Sequence, residues 1–183
     1  MQNNIIWKGR NDESLENCNV LTNDEGFEVN STVSITLDET ICDIGYFIQT
    51  GKNWKSRYCK ITSCEDENTK TLELRRLPEN RWEINGKHDR AFDGCDAIDI
   101  SITPFPNTLI INRKAMEQEE SFEVKMIYID AIKMECEPID ARYTKLTDRE
   151  YEYENLTTGF NVVLDVDEEG FVVNYPGFFK KIV

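Results

Sequence analysis

The chain carries little equipment for catalysis. Its one histidine, His88, sits in the polar run Asn85-Gly86-Lys87-His88-Asp89. A Ser-His-Asp or Cys-His device would need that imidazole as its base, and no Gly-x-Ser-x-Gly elbow supplies a nucleophile. His88 therefore reads as an exposed turn residue. One imidazole excludes metal sites built from several histidines. Asp165-Val166-Asp167-Glu168-Glu169-Gly170 opens like a calcium loop, but its twelfth position falls on Pro176 instead of a bidentate Glu. It reads as a hairpin turn. No Gly-x-Gly-x-x-Gly or Gly-x-x-x-x-Gly-Lys-Ser/Thr motif cradles a nucleotide, and no Cys-x-x-Cys pair suggests zinc or dithiol chemistry. No catalytic residue, metal or cofactor is expected.

Two residue sets remain. Paired carboxylates can hydrolyse glycosides, and Asp96 and Asp99 beside Gly94-Cys95 are the most interesting pair. Their spacing of three puts them on opposite faces of a strand, which argues against joint action. A hydrolase acting on carbohydrate or lipid through buried carboxylates, or a protein-interaction module, stands as the alternative to a binder. The second set is aromatic and basic. Trp54, Arg57 and Tyr58 fall in one expected strand, Arg113 follows an apolar run, and Arg142 adjoins Tyr143. Tyr151 and Tyr153 share a face, and Tyr175 follows. Aromatic faces stack on sugar rings, and Arg offers a planar fork to hydroxyl or phosphate oxygens. The candidate ligand residues are Trp54, Arg57, Arg113, Tyr143, Tyr151, Tyr153 and Tyr175.

Strands must position these residues, because alternation dominates. Phe27, Val29, Val33, Ile35 and Leu37 occupy odd positions, and only Ser31 breaks the series. One long strand, or two with a bend near Ser31, is predicted. Ile44/Tyr46/Ile48, Leu72/Leu74, Trp82/Ile84, Ile98/Ile100/Ile102, Phe160/Val162/Leu164/Val166 and Phe171/Val173/Tyr175 repeat the pattern. Asn85-Gly86 is a strong hairpin dipeptide. The spacing fits an antiparallel sandwich, barrel or rolled sheet. Helical signal is weak: residues 113–118 could make one turn.

The net charge of −14 repels phosphate backbones, so nucleic acid is not an expected partner. No apolar run reaches the roughly 18 residues of a membrane span. The start of the chain shows no secretory leader. The six cysteines are expected to be reduced, and the protein cytoplasmic. A monomer or a weak homodimer through a strand edge is expected.

Taken in order, the landmarks resemble those of the bacterial putative glycolipid-binding family. They are Trp7, Trp54-Lys55-Ser56-Arg57, Arg81-Trp82-Glu83-Ile84-Asn85-Gly86, Gly94-Cys95-Asp96-Ala97-Ile98-Asp99-Ile100 and Thr103-Pro104-Phe105-Pro106-Asn107-Thr108-Leu109. Arg113, Pro138, Tyr143 and Tyr151-Glu152-Tyr153-Glu154 follow. The ending runs from Phe160 through Asp167 and from Gly170 through Gly177. Ile110-Ile111-Asn112-Arg113 departs from the family pattern, which often has a Pro and a second Arg there. The resemblance implies one domain over residues 1–183, mainly β. Its single strongly curved antiparallel sheet would form a spiral β-roll or partly open barrel with few short helices. It also implies a noncatalytic binder of an amphiphile such as a glycolipid, similar to half-barrel carriers that hold acyl chains in an apolar concavity. It carries over no catalytic residue.

Overall fold

The computed structural model describes residues 2–10, 13–37, 40–65 and 68–183, leaving the side chains of residues 64, 65 and 68 outside that description. The chain begins in the middle of a 15-stranded sheet. The first strands, β1 (Gln2–Gly9), β2 (Ser14–Thr22), β3 (Phe27–Leu37), β4 (Thr40–Thr50) and β5 (Ser56–Glu65), step outwards as antiparallel neighbours. They are followed by β6 (Asn68–Leu77), β7 (Arg81–Ile84) and the edge strand β8 (Lys87–His88). The chain then crosses to the opposite edge and lays down β9 (Ala97–Ile100). A short helix, α1 (Phe105–Ile111), precedes β10 (Ser121–Asp130), β11 (Glu135–Lys145), β12 (Glu150–Asn155), β13 (Phe160–Val166) and β14 (Val172–Tyr175). The last strand, β15 (Phe179–Lys181), returns to pair with β1. Among the described residues the sheet is not closed, and β8 and β9 are its edges.

One pairing departs from the antiparallel expectation. β9 and β10 run parallel, because the chain between them passes through α1 and re-enters in the same direction. These two strands also bury both faces. Ile98, Ile100, Ile127 and Ile129 pack into a core shared with β1–β7, while Ala97 and Met126 pack into a second core with β11–β14. One end of the sheet is thus wrapped by the other, and the alternating residues of β9 meet two interiors instead of one interior and bulk water.

The local chemistry explains the elements. Asn85 and Gly86 both take positive φ, 49° and 74°, as the type I′ turn between β7 and β8 requires. β3 is one continuous strand, and Ser31 faces inwards at its odd position because a buried polar partner waits there. The helix lies at residues 105–111, not at 113–118. Pro106 suits a helix start, and all seven residues are buried, so no polar stripe marks it as amphipathic. Trp54 lies in the turn before β5 with φ of 60°, not in the strand with Arg57 and Tyr58. A register shift between Asp165 and Val166 changes the phase of the next strand. Phe171 then joins the first core and Val172 the second, correcting the expected single face for Phe171, Val173 and Tyr175.

Candidate functional site

α1 packs against β10–β14. Phe105 and Leu109 point to the first core and Ile110 and Ile111 to the second. Beside the helix lies a cavity of about 360 Å³. Its floor is polar, formed by Asp99 of β9, by Ser101 and Thr103 just after that strand and by Asn107 of α1. Its walls are aromatic: Tyr128 from β10, Tyr153 from β12, Phe160 from β13, Tyr175 from β14, and Phe178 and Phe179 beyond it. Tyr153, Phe160, Phe178, Tyr175 and Phe179 form a continuous chain of rings. Tyr153 lies 6.3 Å from Phe160, Phe160 meets Phe178 edge-on at 5.5 Å, and Phe178 meets Tyr175 at 5.2 Å. Phe160 and Phe178 remain 36% and 44% exposed, which makes this aromatic rim the mouth.

Asp99 is the charged group of the floor. Its Oδ1 accepts from the backbone N–H of Ile100 at 2.9 Å. Removal from bulk water pushes its carboxyl up to about 6, against that single hydrogen bond. The surrounding rings respond in turn. Burial, and then the Asp99 charge, raises the phenols of Tyr153 and Tyr175. Glu137 stands at the edge of the same cavity, two strands away from Asp99. Tyr128 pairs in register with both Asp99 and Glu137, so the two carboxylates flank one ring on one wall.

The other candidate residues are dispersed. Tyr153 and Tyr175 line the cavity. Tyr143 is buried behind it, donating to Asn107 Oδ1 at 2.9 Å and packing on Tyr153 at 5.2 Å. Tyr151 lies in the second core. Trp54 stacks on Phe27 at 3.8 Å, and Arg57 is exposed beside Lys52 and Asp24. Arg113 belongs to a third place. Its guanidinium binds the Asp96 carboxylate and carbonyl, which also receive Arg76, while Lys55 reaches Asp96 Oδ1 at 3.0 Å. Burial raises the Asp96 carboxyl, but Lys55, Arg113 and Arg76 outweigh it and hold the group below its ordinary value. Asp96 and Asp99 therefore do not meet. A wider cleft of about 570 Å³ opens at Asp96, but Lys55 and Arg113 on its wall are engaged by that carboxylate. His88 is exposed and pairs with Asp93 at 2.8 Å.

One buried acid escaped the sequence reading. Glu16 of β2 is 2% exposed. Its Oε1 accepts from Ser31 at 2.8 Å, Tyr46 at 2.5 Å and Thr103 at 2.9 Å. Burial pushes its carboxyl up to about 7, against the lowering effect of those three hydroxyls. Among the described residues nothing bonds its Oε2. Thr103 connects this buried group to the cavity floor. The sequence signal was Ser31, the lone polar residue on the inward face of β3.

A family model described as "Putative glycolipid-binding" matches residues 4–181. The structure is similar to the crystal structure of a DUF1089 family protein from Pseudomonas aeruginosa, with a TM-score of 0.82 and 29% sequence identity. The similarity covers 92% of this chain and 91% of that one. No curated protein matches the chain. Among the described residues no helix is long and apolar enough to cross a membrane.

Proposed function

Since the chain belongs to the putative glycolipid-binding family, we propose that it binds an amphiphile, such as a glycolipid, without transforming it. The cavity between α1 and β10–β14 is the proposed seat. The observation that carries this reading is a polar floor beside a chain of touching aromatic rings. Hydroxyls or other polar atoms would bond Asp99, Asn107 and Ser101, and ring faces would cover apolar carbon. At about 360 Å³ the cavity accepts a headgroup and the first part of a chain, which leaves by the Phe160–Phe178 rim. Tyr153 and Tyr175 contact the ligand in this reading, and Tyr143 positions Asn107. Trp54, Arg57, Arg113 and Tyr151 stand outside the seat.

Native mass spectrometry after gentle purification, with organic extraction in parallel, tests the proposal. A copurifying lipid, or saturable binding of a fluorescent acyl probe that weakens in Phe178→Ala, is expected. Absence of both would remove the reading. Hydrolysis finds less support, because Asp99 and Glu137 flank Tyr128 on one wall and do not face each other. A module that captures partner strands also finds less support. Its free edges are β8, two residues long, and β9, four residues long. The five described cysteines, Cys18, Cys42, Cys59, Cys95 and Cys136, are free, which supports a reducing, cytoplasmic setting. The side chain of Cys64 lies outside the described residues.

A further inference from the structure

We infer that the polar end of the ligand is a cation, an amine or quaternary ammonium, held between the Asp99 carboxylate and the rings of Tyr128, Tyr153 and Tyr175. The inference rests on the reading of the cavity as the ligand seat and narrows its chemistry.

The cavity wall holds two carboxylates, Asp99 and Glu137, and among the described residues no Lys, Arg or His lines it. This contrasts with Asp96, only three residues away, which engages Lys55, Arg76 and Arg113. Asp99 has a backbone N–H as its hydrogen-bond partner and, among the described residues, meets no countercharge. Its neighbours are phenol rings, whose negative faces attract a cation and offer an anion nothing. The net charge of −14 adds a long-range field of the same sign. A fatty carboxylate, sulfate or phosphate headgroup would meet Asp99 with like charge. A neutral sugar would satisfy hydrogen bonds but leave the carboxylate uncompensated. An ammonium group supplies the missing charge and suits the rings, and an amino sugar would add hydroxyls for Asn107.

Calorimetric titration tests this with three amphiphiles below their micellar concentrations, octyltrimethylammonium, octyl glucoside and octanoate, and with choline as a fourth probe. The ammonium amphiphile is expected to bind about tenfold more tightly than the glucoside, with octanoate weakest. Asp99→Asn should abolish that preference, bringing the ammonium amphiphile down to the affinity the same variant shows for the glucoside. The exposed Glu137→Gln serves as a second variant should Asp99→Asn not fold, and should weaken the ammonium by about two- to threefold only. Glucoside or octanoate binding as tightly as the ammonium overturns the inference and leaves the amphiphile seat standing. So does a preference that survives both substitutions. Choline binding as tightly as its octyl counterpart keeps the cation and removes the amphiphile. No binding by any probe removes both.

Discussion

Glu16 shows how one buried side chain sets a solution property. Its carboxyl titrates near 7 in the fold and near 4.5 when free. Between those values the native protein keeps a proton that the unfolded chain has released. Stability therefore falls as pH rises from 4.5 to 7 and is level beyond, a loss of about 3 kcal/mol at roughly 1.4 kcal/mol per unit. Asp99, raised from 3.8 to about 6, works in the same direction over a lower window. Urea midpoints at pH 5 and pH 8 should differ accordingly. Glu16→Gln should remove most of that difference, and a variant with an undiminished gap would contradict the assignment. Tyr143→Phe probes the neighbouring floor. It strips the donor from buried Asn107 Oδ1 and should cost about 1–2 kcal/mol in chemical denaturation. At this scale the sequence was partly legible. Ser31 and Asp99 stood out as polar residues within alternating strands, yet alternation cannot tell a wet face from a second interior. That Asp99 faces a cavity, and that Glu16 meets Ser31, follow from contacts between distant strands.

At the scale of elements, the crossing from β8 to β9 joins the two ends of the sheet, and Asp96 clasps them. Arg76 comes from β6, Lys55 from the turn before β5, and Arg113 from beyond α1. The Gly94 N–H donates to Asn80 O and the Asp96 N–H to Lys125 O, so the backbone makes the same bridge. Arg76 also stacks on Trp82, whose indole N–H donates to Cys95 O. Asp96→Ala would leave Arg76 and Arg113, both mostly buried, facing each other uncompensated. A loss of about 3 kcal/mol is expected in urea, partly recovered in high salt, which screens the half-buried Lys55 more than the arginines. An unchanged midpoint would reduce the clasp to decoration. Little of this junction could be read in advance, because Arg113 and Asp96 were recognised singly and their meeting depends on the crossing. The helix at 105–111 carries no local sequence signal for a related reason. Its seven residues are enclosed on every side, so the periodic contrast that reveals a surface helix is missing.

For the whole molecule, alternation predicted the strands well because most of them have one covered face, while their order could not be read from it. The chain starts and finishes at the centre of the sheet, and β15 and β14 connect β1 to β13. Trp7 of β1 donates its indole N–H to Val172 O, Phe171 enters the first core and Val172 the second. Removing residues 171–183 would therefore expose the middle of the sheet. It would unpair one side of β1 and one side of β13, leave the Trp7 indole N–H without its acceptor, and take Tyr175, Phe178 and Phe179 from the cavity wall. Burial of large side chains contributes about 1.5–3 kcal/mol each, and small domains have only about 5–15 kcal/mol in total. The truncated chain should thus lose its cooperative thermal transition and bind a dye for exposed apolar surface. The milder Val172→Ala, which keeps every backbone pairing, should melt cooperatively at a lower temperature. If the truncated chain instead melted as one unit at the parent temperature, the two halves would each be stable without their central seam.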